Sequence, residues 1–276
     1  NGNLDVDGGT IKLDGNYPTG TNNVALGNTA LDSGSLSGGN NTGIGNAALT
    51  VNTSGDNNVA VGNLTLDANT TGSCNLGNGM YSLTANISGD CNTAVGYASL
   101  ASNTTADNNT AVGFRAMDKN TTGTNNVSVG VDSLRCNTTG QSNTAVGTNA
   151  LSTNTTSNSL TALGFCALST STGANNTAVG DRASRLNTTG ASSSSVGYLA
   201  LCSNTSGGCN TALGSQALRK NTTASYNTAV GALSLFTNIT GAGNTGLGYR
   251  SLELTTASNN TGLGYEAGAA NAGGAS

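Results

Sequence analysis

Apolar residues recur along this chain at fixed distances from a repeated glycine. That glycine stands at Gly27, Gly45, Gly62, Gly79, Gly96, Gly113, Gly130, Gly147, Gly164, Gly180, Gly197, Gly214, Gly231, Gly248 and Gly264. Eleven of the fourteen steps between them are 17 residues, one is 18 and two are 16. A period of this length held through fifteen copies marks a repeat architecture, in which each copy is one small unit and stacking supplies the core. The copy Asn92-Thr93-Ala94-Val95-Gly96-Tyr97-Ala98-Ser99-Leu100, closed by Asn103-Thr104-Thr105, serves as the reference, with positions counted from the glycine as zero.

Two bulky columns are expected to form the core. One is the residue before the glycine (Val95, Val112, Val146, Leu213), polar only at Asn78; the other is four residues after it (Leu100, Met117, Leu134, Leu151), broken at Ser184 and Gly268. The residue three before the glycine, Thr or Val in most copies, shares the face of that Val column under the period of a strand. Positions minus two and plus three are small throughout, as at Ala94 and Ser99. Smallness kept this strictly implies a close approach, either by the opposite wall of a thin coil or by another chain. Each coil then reads as a short strand Thr-Ala-Val, a bend at Gly, a second short strand around Ala-Leu, and an Asn-Thr-Thr-Gly turn. Seventeen residues rich in Gly and Asn leave no room for a helical pair. The expected class is all-β, a β-solenoid (β-roll) of about fifteen 17-residue coils forming a rod of roughly 70 Å. Asn at plus seven (Asn86, Asn103, Asn120) and minus four (Asn92, Asn109, Asn126) is expected to stack into amide ladders.

Residues 1–21 do not fit the repeat and read as an N-terminal cap or hairpin, 22–268 as the solenoid, and 269–276 as a flexible end. The 16-residue steps shorten turns, at Ser169-Thr170-Ser171-Thr172-Gly173 and Thr255-Thr256-Ala257-Ser258, and leave the strands intact.

Composition narrows the function. Aromatic residues make up 4% and charged residues 8%, which would suit a disordered chain if the apolar residues were scattered; their phasing argues against that. A net charge of −4, with no Lys/Arg cluster along the sequence, makes nucleic acid an unexpected partner. No apolar run is long enough for a membrane-spanning helix, so no membrane insertion is expected. His is absent, which removes Ser-His-Asp and Cys-His arrangements and His metal sites, and the 13 acids are dispersed. No catalytic residue, metal site or cofactor is expected, and the chain reads as a non-enzyme.

Three other features carry candidate chemistry. Cys74 and Cys91 share one column on adjacent coils and are candidates for a disulfide, with two free thiols as the plainer alternative. Cys136, Cys166, Cys202 and Cys209 have no partner one coil away and are expected to be unpaired. Sequons at Asn69, Asn103, Asn120, Asn137 and Asn221 are candidates for glycosylation, although Asn-Thr-Thr turns generate sequons automatically. The position after the glycine carries Tyr97, Phe114, Phe165, Tyr198, Tyr249 and Tyr265. Exposed aromatics there suit a receptor-facing column that stacks on sugars or fills a partner's pocket, or a rim position that tolerates them.

Asn-Thr-Ala-Val-Gly occurs unchanged at Asn92, Asn109, Asn143, Asn176 and Asn227, and several copies continue to Ala-Leu and Asn-Thr-Thr-Gly. Over residues 22–268 this resembles the 17-residue repeats of phage and bacterial tail-fibre-domain proteins, and more distantly the head repeats of trimeric autotransporter adhesins. The resemblance implies an elongated homotrimeric β-roll in an extracellular setting, on a virion tail fibre or a cell-surface fibre, facing a cell-surface glycan or receptor. With a trimer implied, the small column Ala94, Ala111, Ala145, Ala178, Ala212 and Ala229 is expected to form the subunit interface. The expected function is a structural and adhesive fibre segment. Its competitors are a filament subunit joined end to end and an ice-binding solenoid.

Overall fold

The computed structural model describes residues 20–270. All but the last two residues of the expected cap at 1–21 lie outside the described residues, and so do 271–276 of the expected end. Among the described residues, fifteen three-residue strands, from β1 (Val24–Leu26) through β5 (Thr93–Val95) and β6 (Thr110–Val112) to β15 (Thr261–Leu263), form one parallel sheet in sequence order. Every strand therefore pairs with the same segment of the next coil, as Ala94 pairs with Ala111. Thr93 N–H donates to Asn109 O at 2.8 Å, and Gly96 N–H donates back to Asn78 O at 2.8 Å. The result is a β-solenoid, with all three strand residues held by the coils above and below.

Opposite the sheet the expected second strand is absent. Ala98 (φ +52°) and Leu100 (φ +49°) lie in the left-handed region, whereas Tyr97 and Ser99 do not. Alternate N–H groups consequently point to opposite neighbours: Ala98 N–H reaches Met80 O of the preceding coil and Leu100 N–H reaches Ala116 O of the following one, each at 3.0 Å. An extended segment would send Ser99 and Leu100 to opposite faces. Both are fully buried, and the left-handed residue is what turns both inward.

The core holds one of the two columns expected of it. Leu at plus four is buried from Leu31 to Leu252. The Val/Leu column before the glycine faces outward instead; Leu26, Ile44, Val146 and Leu247 are 36–43% exposed. Its place inside is taken by the small column, with Ala94, Ala111, Ala145, Ala178, Ala212 and Ala229 at 0% exposure. The smallness thus answers to the chain's own opposite wall. At Gly43 in that column an added Cβ would already stand 3.2 Å from Leu31 Cγ, and at Gly262 one would stand 2.7 Å from Leu252 Cγ. The expectation that these alanines meet another chain is corrected: they have no outer surface to offer. Ala111→Leu should consequently destabilise the folded chain by about 1–3 kcal/mol through overpacking, read as a lowered urea midpoint; an unchanged midpoint would mean that the coil has room there.

The rest of the interior is polar. Asn92 and Asn103, both at 0% exposure, each donate from Nδ2 to the carbonyl of Ala106, at 2.8 and 3.0 Å. Along the rod the plus-seven column forms the expected amide ladder, with Asn103 Nδ2 on Asn86 Oδ1 at 2.8 Å and Asn120 Nδ2 on Asn103 Oδ1 at 3.0 Å. In the minus-four column the carboxamide oxygen also accepts a main-chain donor, Asn109 N–H on Asn92 Oδ1 at 3.0 Å. These bonds satisfy the return turn, whose groups are withdrawn from water.

Candidate functional site

What the rod shows to its surroundings follows from the fold. On the sheet side the outward residues are those at minus three and minus one, Thr93 and Val95 in β5. The aromatic column stands at the corner where the glycine turns the chain. On the left-handed wall the outward positions are plus two, plus five and plus six.

The receptor-facing residues expected from sequence are all exposed, from 41% at Tyr97 to 73% at Tyr265. Four of the six rings pair with a neighbour along the rod axis, and Phe165 and Tyr198 stand without a ring partner among the described residues. Tyr97 and Phe114 stack at 5.3 Å between centroids and 14° between planes, and Tyr249 and Tyr265 stack at 5.4 Å and 24°. Tyr81 meets Tyr97 edge to face at 5.9 Å. The Arg115 guanidinium lies 5.0 Å from the Phe114 centroid, and that of Arg182 lies 5.5 Å from Phe165. A sugar stacks on an open ring face. In this column Tyr97 and Phe114, like Tyr249 and Tyr265, already cover a face of each other, and Tyr265 at the end of its stack keeps its outer face open.

The sequons expected to carry sugar do not offer it a site in the folded chain. Asn69, Asn103, Asn120, Asn137 and Asn221 are all at 0% exposure. Each Nδ2 is spent inside, that of Asn137 on Asn120 Oδ1 at 2.8 Å and on Gly140 O at 3.0 Å. The same Asn-Thr-Thr turn that writes the sequon buries its amide, which corrects that expectation.

Cys74 and Cys91 are exposed free thiols on adjacent coils, the plainer of the two alternatives. Cys136, Cys166, Cys202 and Cys209 are also free. Burial pushes the Cys202 thiol above its usual range, while Arg185 and Arg219 pull it the other way. Among the described residues, no group of three or more His, Cys, Asp and Glu is placed to hold a metal ion, and no helix is long and apolar enough to cross a membrane.

The outward apolar column was the surface that sequence reasoning missed. Bulk had assigned it to the interior, and only the strand's alternation, anchored on the invariantly small residue, could have reversed the assignment. In β1, β2 (Thr42–Ile44), β8 (Thr144–Val146) and β14 (Thr245–Leu247) alike, the third residue is exposed and the stripe continues along the stack. No family model matches the chain, and no curated protein or solved structure matches it either.

Proposed function

We propose that this chain is a rigid structural and adhesive segment of an extracellular fibre, assembled side by side with further copies of itself. The observation that carries the reading is the outward Val/Ile/Leu stripe on an otherwise closed, hydrogen-bonded rod. The stripe is apolar in fourteen of the fifteen coils and broken only at Asn78, a line that a second copy can cover. A second copy carries the same column at the same coil spacing, so one registration satisfies every coil at once. The trimer, the virion or cell-surface setting and the receptor-facing role rest on the sequence resemblance and are part of the same proposal. Catalysis is no part of it.

Sedimentation with electron microscopy tests this reading. The full chain is expected as rods near 70 Å long with a mass above that of one chain. Combining Val112→Lys, Val129→Lys and Val146→Lys should release single chains with unchanged circular dichroism. A single-chain mass for the parent protein, or an unaltered mass for the variant, would overturn the side-by-side assembly. Rods of indefinite length would favour the end-to-end filament instead.

One observation favours a second reading. The outward column at minus three, Thr in ten of the fifteen strands, sets hydroxyl and methyl groups beside the Val column at each coil, which suits ordered water. Thermal hysteresis in a solution of the parent protein would support ice binding, and its absence would dismiss it.

A further inference from the structure

Charge is divided along the sequence in a way that the net value conceals. Residues 1–114 carry one cation, Lys12, against eight acids, whereas residues 115–276 carry eight cations against five acids. All eight of those cations occupy positions plus two, plus five or plus six, so the coil repeat places them on one face, the outer side of the left-handed wall. Several are already neutralised there. Arg115 grips Asp132 with two bonds, at 3.0 and 3.1 Å, and Arg250 reaches Glu253 at 2.6 Å and Glu266 at 3.3 Å.

Arg182, Arg185, Arg219 and Lys220 are different. They lie within three successive coils, and Asp181, exposed and 3.6 Å from Arg182, is the one acid between residues 133 and 252. Arg185 and Arg219 occupy the same column two coils apart, a spacing of about 10 Å along the axis. Cys202 stands five residues after the anchor glycine of the coil between them, so Arg185, Cys202 and Arg219 follow one another in a single column. Nε of Arg185 is shielded from solvent and has no hydrogen-bond partner among the described residues. Phe236 holds Arg219 and Lys220 over its ring, at 5.8 and 5.1 Å, and so keeps both heads at the surface. Arg182 shares its charge with Asp181, but Arg185, Arg219 and Lys220 have no acidic partner among the described residues; such cations repel one another, and an external anion relieves that repulsion.

We propose that this patch binds an anionic polysaccharide, sulfated or carboxylated at intervals of about one disaccharide, lying along the rod axis across Arg182, Arg185 and Arg219. The inference deepens the adhesive reading by naming the class of partner, and rests on it. A nucleic acid suits the face less well. Its phosphates follow one another every few ångströms and need continuous neutralisation, while residues 20–114 of the rod carry five acids and no cation. Base stacking needs open ring faces, and Phe165 and Phe236 each carry a cation over one face.

The test is binding of the full chain to chondroitin sulfate at low and at physiological salt, with neutral dextran and duplex DNA as comparison probes. Salt-sensitive binding to chondroitin sulfate, stronger than to either comparison probe, is expected. The Arg185→Gln, Arg219→Gln double variant should bind about tenfold more weakly, while Arg115→Gln, which removes an already paired cation, should bind like the parent. Circular dichroism and thermal melting establish that both variants are folded; if the double variant does not fold, Arg182→Gln with Lys220→Gln takes its place. No binding above the dextran level, tighter binding to DNA, or equal losses in the double variant and Arg115→Gln would each overturn the proposal. Rod length and oligomeric mass are read separately, so failure here is distinguishable from failure of the fibre reading.

Discussion

Gly113→Ala is expected to destabilise the rod by about 3–5 kcal/mol, combining the cost of a side chain at positive φ with crowding against the next coil. Gly113 has φ +140°, and a Cβ there would stand 2.5 Å from Gly130 O. That carbonyl belongs to the following anchor, which is itself fixed by its N–H bond to Val112 O at 2.8 Å, so neither coil can give way alone. A second glycine separates the two contributions. At Gly123 an added Cβ would lie 2.3 Å from Gly140 O, a closer approach than at Gly113, yet its φ is not in the left-handed region. Ala106, Ser157 and Ala224 fill the Gly123 column in other coils, while no anchor position carries a side chain. Gly123→Ala should therefore cost no more than about 1 kcal/mol. Because a solenoid opens coil by coil, urea unfolding should be read together with hydrogen exchange at Gly130 and Asp132. Equal losses for the two variants would show that space, and not backbone conformation, reserves the anchor for glycine.

Those anchors were the most legible feature of the sequence, and the period they set located the strands, the Leu column and both Asn columns. Which face of a three-residue strand turns inward was not legible from bulk. Alternation requires Ala94 to oppose Thr93 and Val95 but is silent on the side, and the rule that large apolar residues lie inside selects Val95. The rule fails because Leu100 fills the interior from the opposite wall and leaves space for a methyl group only. The left-handed wall was hidden for a related reason. Leu is a poor residue for φ near +50°, and nothing in its identity announces that conformation. A hint existed in Ser99 and Leu100 themselves, adjacent and both restricted along the repeat, which an extended strand would have placed on opposite faces. The basic patch had a clear signal as well. Arg185 and Arg219 are 34 residues apart, two full periods, so cations that look dispersed along the chain become neighbours once it is wound.

The buried amides give the other large effect. Asn120 donates from Nδ2 to Asn103 Oδ1 at 3.0 Å and to Gly123 O at 2.9 Å, and it accepts from Asn137 Nδ2 at 2.8 Å. Asn120→Leu should cost about 3–5 kcal/mol, since it strands one acceptor on Asn103 and one donor on Asn137 in a place that water does not reach. The chain contains its own apolar replacement, Leu160 in the minus-four column, and shows what must accompany it. There the neighbouring turn is rebuilt, with Ser171 Oγ donating to Gly173 O at 3.2 Å and Asn176 Nδ2 to the same oxygen at 2.9 Å. A single substitution at Asn120 brings no such compensation. Asn120→Asp is the sharper probe because it keeps the shape and alters only protons. Protonated, the carboxyl can still donate to Asn103 Oδ1; ionised, it places a charge in a fully buried ladder, so its folded pKa must rise well above the unfolded value of about 3.9. A raised folded pKa means that stability is fully present below the unfolded pKa and is lost as pH rises through the folded one. The variant should thus come closest to the parent near pH 4 and fall away towards pH 7, the reverse of ordinary acid denaturation. Asn108→Asp, on an exposed residue of the adjacent column, should show no such loss. Urea midpoints across that pH range decide the matter: an Asn120→Asp chain as stable near pH 7 as near pH 4 would mean that water enters the coil and that the amide ladder is not what closes it.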